Sequence, residues 1–284
     1  KADKGRYVYA TLIETSERTQ QPVRAVLKNA GALMNSFWIV NALWSYGSSD
    51  LILRLSDMPE VARVEDNPVW RQDLPTLKPE LEVDDRTLTP ISWGLTKINA
   101  DDVWNLGYTG TGTVVGGHDT GYEWEHPALQ EKYRGWNGST ADHNYNWHDA
   151  IHTTGTGNPC GYNLIEPCDD NGHGTHTMGT MAGGADMNNI IGVAPDAQWV
   201  GCRNMDQGNG TPATYIECFQ WLAAPTNLAN TNPDPAMAPH VINNSWGCPP
   251  SEGCSSSNFA TMETVINNVR AAGIVVVTSA GNSG

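Results

Sequence analysis

The sequence predicts an α/β fold built on a parallel sheet and preceded by a smaller α+β unit. From residue 91 onward, near-continuous apolar runs alternate with helical segments, as do parallel strands joined by helical crossovers. Before residue 68 the elements are short and mixed in type. Between these parts the chain is rich in Pro, Asp and Glu without a clear period, which is typical of a linker. The 284 residues are therefore divided into 1–67, 68–90 and 91–284.

The first unit is predicted from short apolar patterns. The alternation in RYVYATLIET predicts a half-buried strand over residues 6–15. A helix is expected around 20–34, a strand over 36–44, a short helix over 48–58 and a strand over 61–66. This order is close to βαββαβ and indicates a ferredoxin-like unit.

In the larger unit each helix leads into the next apolar strand. Strands are expected in TVVGGHD, QWVGCR, HVINNSW and IVVVTSA. Helices are expected in NADDVWNL, GTHTMGTMAGG, TYIECFQWLAA and NFATMETVINNVRAAG. Parallel sheets of this kind bind ligands beyond the carboxyl ends of their strands, so functional residues are expected there.

The charge is unevenly distributed along the chain. Residues 1–67 balance, with eight basic and eight acidic side chains, and residues 68–284 carry the whole net charge of −15. A nucleic-acid or anionic-membrane partner requires basic patches, so both classes are disfavoured. No stretch approaches the roughly 20 apolar residues of a membrane span.

All six cysteines lie between residues 160 and 254. The Cys-x2-Cys spacing of many zinc sites does not occur, which favours disulfides and an extracellular location. Six cysteines allow 15 pairings. The simplest pairing is Cys160–Cys168, Cys248–Cys254 and Cys202–Cys218.

Polar residues stand at the expected strand ends. Asp119 follows the first strand and could orient a histidine, bind a metal or cap a turn. His173 begins a helix rich in small residues, and His176 follows one turn later. A metal pair could have this spacing, but His-Glu-x-x-His and a nearby third ligand do not occur.

Two further strand ends carry candidate residues. Ser245, Trp246 and Gly247 leave the sheet in extended form, so Ser245 could be a nucleophile or the segment could pair with a bound peptide. Asn282 could donate its side-chain N–H to an oxyanion, or it could simply form a turn.

Taken together, these motifs resemble the subtilisin-like serine proteases, or subtilases. The matching motifs are DTG, HGTHTMGTMAG, GVAPDA, SWG and SAGN, in the family order, and they extend over residues 91–284. WGLTKINADDVWNLGYTGTG, EWEHPAL and KYRGWN are similar to the bacillopeptidase F branch.

The resemblance implies a secreted endopeptidase acting on protein or peptide substrates. Asp119 would orient His173, which would act as general base and then general acid, and Asn282 would form part of the oxyanion hole. His176 would be structural. The substrate would be bound by Ser245, Trp246, Gly247, Ala280, Gly281 and the region 206–210.

The family's Gly-Thr-Ser-Met-Ala nucleophile motif does not occur in these residues. Ser283 is expected to be a bystander, since an elbow serine precedes its partners in sequence and this one follows them. We therefore expect the enzyme to extend beyond these residues, which alone would be inactive. The alternative is a non-catalytic relative that binds extended peptides.

The resemblance has further implications. Residues 1–67 would be an inhibitor-type propeptide, which makes the chain's own propeptide a partner and places a processing site in residues 68–90. No cofactor is certain, and calcium is the one candidate. Ala128 replaces an aspartate that many subtilases use to bind it, so any calcium would be held by other carboxylates such as Asp169 or Asp170.

Overall fold

The computed structural model describes residues 1–75, 91–184 and 190–282. The strands are β1 (Leu33–Phe37), β2 (Ala42–Tyr46), β3 (Trp70–Arg71), β4 (Val114–Asp119), β5 (Trp147–Asp149), β6 (Gln198–Arg203), β7 (Asn209–Gly210), β8 (Val241–Asn244) and β9 (Val275–Thr278). The α-helices are α1 (Ala2–Asn29), α2 (Ser49–Ser56), α3 (Trp93–Lys97), α4 (Ala100–Asn105), α5 (His173–Ala182), α6 (Pro212–Ala223) and α7 (Ser256–Ala271).

A five-stranded sheet in the order β5-β6-β4-β8-β9 forms the centre of the fold, and every neighbouring pair in it is parallel. The predicted parallel α/β architecture is therefore confirmed. Four of the strands and their helices fall where the sequence predicts them. Strand β5 was not predicted, because it is only three residues long and lies within a polar, Gly-rich stretch.

The sheet separates two hydrophobic cores. Successive side chains of a strand point to opposite faces, and β6 shows this directly. Trp199 packs with Trp147 and Met178 on the face covered by α5, whereas Val200 packs with Phe219 and other residues of α6 and α7 on the opposite face. Both faces of the sheet are therefore buried at its centre, as expected for a parallel sheet with helices on both sides, whereas the edge strand β9 is largely exposed.

Strand β4 marks the point where the strand order reverses. From β4 the chain passes through β5 and α5 to β6, all on one side of β4, and then through α6 to β8 on the other side. A crevice opens beyond the carboxyl ends of the strands at such a reversal. Asp119 is the last residue of β4, so its carboxylate lies at the edge of this crevice.

Local capping fixes where α6 and α7 begin. Thr211 caps α6 by accepting a hydrogen bond from the backbone N–H of Thr214, and Pro212 occupies the first turn, where no donor is needed. Ser255 and Asn258 form the corresponding reciprocal pair at α7. Both helices thus start at defined residues, which fixes the loops that precede them.

The predicted strand over residues 6–15 is wrong, because these residues belong to α1, which is 28 residues long. From Ser16 onward, the buried residues of this helix recur at helical spacing, at Ser16, Gln20, Val23 and Leu27. Two of these positions are polar, and Gln20 is hydrogen-bonded to Asn41 and to the Ala42 carbonyl. The distribution of apolar residues in the sequence therefore did not reveal which face of α1 is buried.

The predicted strand over residues 36–44 is in fact a hairpin. Strands β1 and β2 pair antiparallel around the short 3-10 helix Trp38–Val40. Asn41 closes the turn with φ of 50°, a left-handed conformation that Asn tolerates well. Helix α2 confirms the prediction over 48–58, but residues 61–66 form no strand. The residues up to 67 therefore lack the expected βαββαβ order.

The N-terminal elements pack on the outer surface of α6 and α7. The Asn35 side chain donates to Glu217 Oε2 at 2.9 Å, and Asn268 Nδ2 donates to the Ile39 carbonyl at 2.7 Å. Ile39 itself is buried and belongs to the same hydrophobic cluster as residues of α6 and α7. The N-terminal residues thus share a hydrophobic core with the sheet.

Residues 61–75 run from this packed unit toward the crevice. Asn67 Oδ1 accepts the backbone N–H of Ala213, in the first turn of α6, at 2.9 Å. Strand β3 then pairs antiparallel with β7. The remainder of the predicted linker, residues 76–90, lies outside the described residues, and the processing site there stays a prediction.

Three disulfides join Cys160 to Cys168, Cys202 to Cys218 and Cys248 to Cys254. This is the simplest pairing that the sequence allowed. The bond between Cys202 and Cys218 ties β6 to α6. Over the described ranges, none of the helices has the length and apolar character needed to span a membrane.

Candidate active site

The fold brings Asp119 and His173 together although they are 54 residues apart. Asp119 ends β4 and His173 opens α5, and His173 Nδ1 lies 2.7 Å from Asp119 Oδ1. A carboxylate can only accept at this distance, so Nδ1 carries the proton and donates it. The opposite nitrogen, Nε2, is therefore left unprotonated in the neutral ring and is able to accept a proton.

Two other donors hold the Asp119 carboxylate in place. The backbone N–H of Thr120 donates to Oδ1 at 2.8 Å, and the Thr177 hydroxyl lies 3.3 Å from Oδ2. The Asp119 side chain is only 2% exposed, whereas that of His173 is 13% exposed. The carboxylate is thus shielded from solvent while one edge of the imidazole stays accessible.

Burial and pairing act on the two groups together. Burial raises the pKa of Asp119, and the hydrogen bond from His173 opposes this effect. Burial would lower the pKa of His173, but the hydrogen bond and charge of Asp119 outweigh it, so the pKa of the imidazole is raised. The arrangement stabilises the protonated imidazole, as a general base that passes through an imidazolium requires.

Two adjacent acids position the elements around this pair. Asp169 accepts hydrogen bonds from the Thr120 hydroxyl and from the backbone N–H groups of Gly172 and Thr175, at the start of α5. Asp170 Oδ1 accepts the backbone N–H of Gln207 at 3.0 Å, in the loop that leads into β7. One acid therefore holds the helix that carries His173, and its neighbour holds the β7 loop.

Asp170 belongs to a buried ionic cluster beneath this loop. The side chain of Arg203 is 0% exposed, and its Nη2 lies 2.8 Å from Asp170 Oδ2. Its Nη1 lies 3.6 Å from Asp149 Oδ2 and donates to the Gly161 carbonyl at 3.0 Å. The cluster ties the ends of β5 and β6 to the segment closed by the disulfide Cys160–Cys168.

The buried His118 directly precedes Asp119 in β4 and contacts residues on both neighbouring sides of this strand. His118 Nε2 lies 2.5 Å from Asn244 Oδ1, and Asn204 Nδ2 lies 3.1 Å from His118 Nδ1. The amide of Asn204 is the donor, so Nδ1 must be unprotonated and the ring neutral. Desolvation lowers the pKa of His118 to about 4.

We expect His118 to make the protein less stable in acid. The unfolded state takes up a proton near pH 6.5, while the folded state resists it down to about 4. The contribution of neutral His118 to the free energy of unfolding is therefore complete above pH 6.5. This contribution decreases by about 3 kcal/mol as the pH drops to 4. Denaturant unfolding of the wild type and His118→Gln at pH 7.5 and 4.5 measures this.

Other titrating groups contribute equally to both proteins and cancel in the comparison. His118→Gln should be less stable at pH 7.5 but should lose less stability on acidification. If both proteins lose the same free energy of unfolding between the two pH values, His118 does not carry this pH dependence.

Two segments flank residues 70–72. One is β7, within the predicted 206–210 region, which pairs with β3. The other begins at Ser245, Trp246 and Gly247, which follow β8 directly, and its Gly247 is hydrogen-bonded to Gln72. The space between these two segments is called the groove, and the segments are its walls. The Ser245 hydroxyl accepts a hydrogen bond from Asn243 at 2.7 Å, which leaves it bonded within its own strand.

The residues after β9 lie along the same edge of the sheet. Strand β9 runs parallel to β8, and the backbone N–H of Ser279 donates to the Asn244 carbonyl at 3.0 Å. Ala280, Gly281 and Asn282 follow and are exposed. Asn282 thus leaves the sheet at the same rim as Asp119, without a hydrogen bond to the pair among the described residues. Ser283 lies outside the described residues.

The described residues do not gather a metal site. Across residues 1–75, 91–184 and 190–282, no group of three or more His, Cys, Asp or Glu side chains is arranged to hold a metal ion. Asp169 and Asp170, which were considered as calcium ligands, are engaged with backbone amides and with Arg203. His176 is exposed on α5. Calcium binding stays a prediction.

Sequence reasoning missed the roles of Asp169, Asp170 and His118 in positioning the site. The pair of acids three to four residues before His173 could have been found, because acidic residues are favoured at the start of a helix. His118 gave no signal, since its partners Asn204 and Asn244 come from distant strands.

Comparison with known proteins gives a consistent result. The profile of the subtilase family, peptidase S8, matches residues 110–284. Bacillopeptidase F of Bacillus subtilis (strain 168) is 35% identical over 97% of this chain. The minor extracellular protease Vpr of the same strain is 34% identical over 66% of the chain, and subtilisin Savinase of Lederbergia lenta is 30% identical over 68%.

The matches cover different shares of these relatives. The chain spans 19% of bacillopeptidase F, 20% of Vpr and 56% of subtilisin Savinase.

Proposed function

The chain belongs to the subtilase family, and from this premise we propose that the protein is a secreted serine endopeptidase. The single observation that carries the proposal is the hydrogen bond of 2.7 Å between His173 Nδ1 and Asp119 Oδ1 at the carboxyl edge of the sheet. The nucleophile would be a serine contributed by residues outside these 284.

The chemistry would proceed by acyl transfer. His173 Nε2 would take the proton of the serine hydroxyl as it attacks the carbonyl carbon of the scissile peptide bond. Asp119 would hold the ring in the required tautomer and stabilise its charge. The amide of Asn282 would donate to the oxyanion, and His173 would then pass its proton to the leaving amine.

The substrate would lie extended in the groove. The edge of β7, with which β3 pairs here, would offer main-chain groups on one side, and Ser245–Gly247 would offer them on the other. Ala280 and Gly281 have small side chains or none, which would leave room for the residue before the scissile bond. Pairing of the substrate main chain with a strand edge is a general mode of peptide recognition.

We also propose that residues 1–67 act as an intramolecular inhibitor. The support is threefold: these residues pack on α6 and α7, Asn67 bonds to the first turn of α6, and the continuing β3 occupies the groove beside β7. The three disulfides support an extracellular setting, where such bonds persist.

The experiment is labelling with a fluorophosphonate, which reacts with activated serines. After release of the inhibitory N-terminal residues, the full-length protein should be labelled and should hydrolyse a quenched peptide. His173→Ala should slow hydrolysis by about 10⁴- to 10⁶-fold and abolish labelling, because the serine would lose its base.

His176→Ala, an exposed residue on the same helix, is the control and should retain both properties. Binding of extended peptides without any labelling of the full-length protein would contradict the proposal and would support a non-catalytic relative.

A further inference from the structure

Residues 70–72 occupy the groove through main-chain pairing on only one side. Trp70 and Arg71 pair with Gly210 and Asn209, and the backbone N–H of Gln72 donates to the Gly208 carbonyl at 2.9 Å. This segment therefore adds a strand to the β7 wall.

The opposite wall is contacted by a side chain instead. Gln72 Nε2 donates to the carbonyl of Gly247 at 3.1 Å, and the backbone N–H of Gly247 donates to Gln72 Oε1 at 3.0 Å. Gln72 is only 9% exposed, so these bonds are shielded from water. A primary carboxamide places a donor and an acceptor in one plane, as an opposing main-chain residue would.

We propose that the main-chain N–H and C=O of Gly247 form a subsite for a primary carboxamide, which Gln72 fills and which holds residues 69–74 in the groove without cleavage. Only the absence of cleavage rests on the proposed function; the carboxamide subsite itself does not. A peptide paired on both walls would bring its main chain up to Gly247, whereas here a glutamine side chain intervenes.

The chemistry of the subsite is selective. A glutamate side chain lacks the donor for the Gly247 carbonyl, and a lysine lacks the acceptor for its N–H. An asparagine has the right groups but is one carbon shorter. The expected ligand is therefore an extended peptide with glutamine at this position.

Two neighbouring features fix the position of the glutamine. Trp70 is fully buried, with its ring centroid 5.2 Å from that of Tyr215. Gly247 directly precedes the loop closed by Cys248 and Cys254. A side-chain carbon at Gly253 in this loop would approach the Val69 carbonyl to 3.3 Å, so the loop closes over the segment. The carboxamide and Gly247 are thus both presented on constrained backbone.

Hydrogen exchange tests the subsite without requiring activity. The His173→Ala variant of the full-length protein should keep residues 1–75 attached, whether or not the wild-type protein is a protease. In this background Gln72→Ala should accelerate exchange of the Gly247 amide by about tenfold or more, since a shielded hydrogen bond of roughly 1.5 kcal/mol is lost. Gln72→Glu should weaken the binding of residues 69–74 in the groove. Gln21→Glu, at an exposed site on α1, should leave the hydrogen exchange unchanged.

Activity gives the second readout. In protein with an intact His173 that hydrolyses a reporter peptide, mass spectrometry should find no cut between residues 69 and 75, and Gln72→Ala should raise the initial rate severalfold. Unchanged exchange at Gly247 in Gln72→Ala, or a cut in this segment, would overturn the inference. Faster exchange in a protein that hydrolyses nothing would support the subsite while the proposed function fails.

Discussion

Replacing Asp119 with Asn should reduce kcat for peptide hydrolysis by about 10⁴-fold in the full-length protein. The change preserves the shape of the side chain but removes its charge. An amide facing Nδ1 can donate, which would favour the tautomer with the proton on Nε2. The imidazole would then be unable to accept the serine proton. Stopped-time hydrolysis of a quenched peptide over a range of concentrations measures the effect.

The effect should fall on kcat and leave KM within about twofold, because a side chain only 2% exposed does not touch the substrate. Asp102→Asn makes the same change on the exposed surface of α4 and is the matched control. Retention of more than a tenth of wild-type kcat by Asp119→Asn would show that the carboxylate does not orient the base.

Replacing Arg203 with Met should reduce the free energy of unfolding by about 3–5 kcal/mol, the largest stability effect that we expect from a single substitution in this protein. Methionine fills much of the space but leaves Asp149 and Asp170 buried without their cation. Removal of one member of a buried ionic cluster leaves uncompensated charge, which costs far more than the interaction itself contributes. Denaturant titration monitored by tryptophan fluorescence provides the measurement.

The matched control is Lys132→Met. Lys132 lies 3.8 Å from Asp196, with side chains 25% and 50% exposed, so its loss should cost less than about 1 kcal/mol. If the two variants were equally stable, the cluster around Arg203 would be well solvated or internally neutralised, contrary to its burial.

The sequence predicted the larger unit well because its central strands, β4 and β6, are buried on both faces and are rich in apolar and small residues. The end of β4 then brings Asp119 to the rim of the sheet. The prediction that Asp119 orients His173 came from the resemblance to the subtilases, and the two side chains are in contact. The roles of Ser245 and Asn282 stay predictions.

The N-terminal unit was predicted poorly for a different reason. Helix α1 buries two polar residues. The Ser16 hydroxyl donates to the Ile13 carbonyl within the helix, and Gln20 donates to Asn41 in the hairpin turn. Patterns of hydrophobic residues cannot reveal a buried face that is partly polar. The left-handed turn at Asn41 likewise interrupts an apolar run that otherwise favours one long strand. The carboxamide of Gln72 at Gly247 depends on two loops 175 residues apart and leaves no local pattern.

The adjacent acids Asp169 and Asp170 link two of the elements that surround the crevice. Asp169 is hydrogen-bonded to the start of α5, which carries His173, and Asp170 is hydrogen-bonded to the loop that leads into β7. A single peptide unit separates the two acids. Because the two acids are adjacent, a displacement of this dipeptide would move the start of α5 and the loop before β7 together.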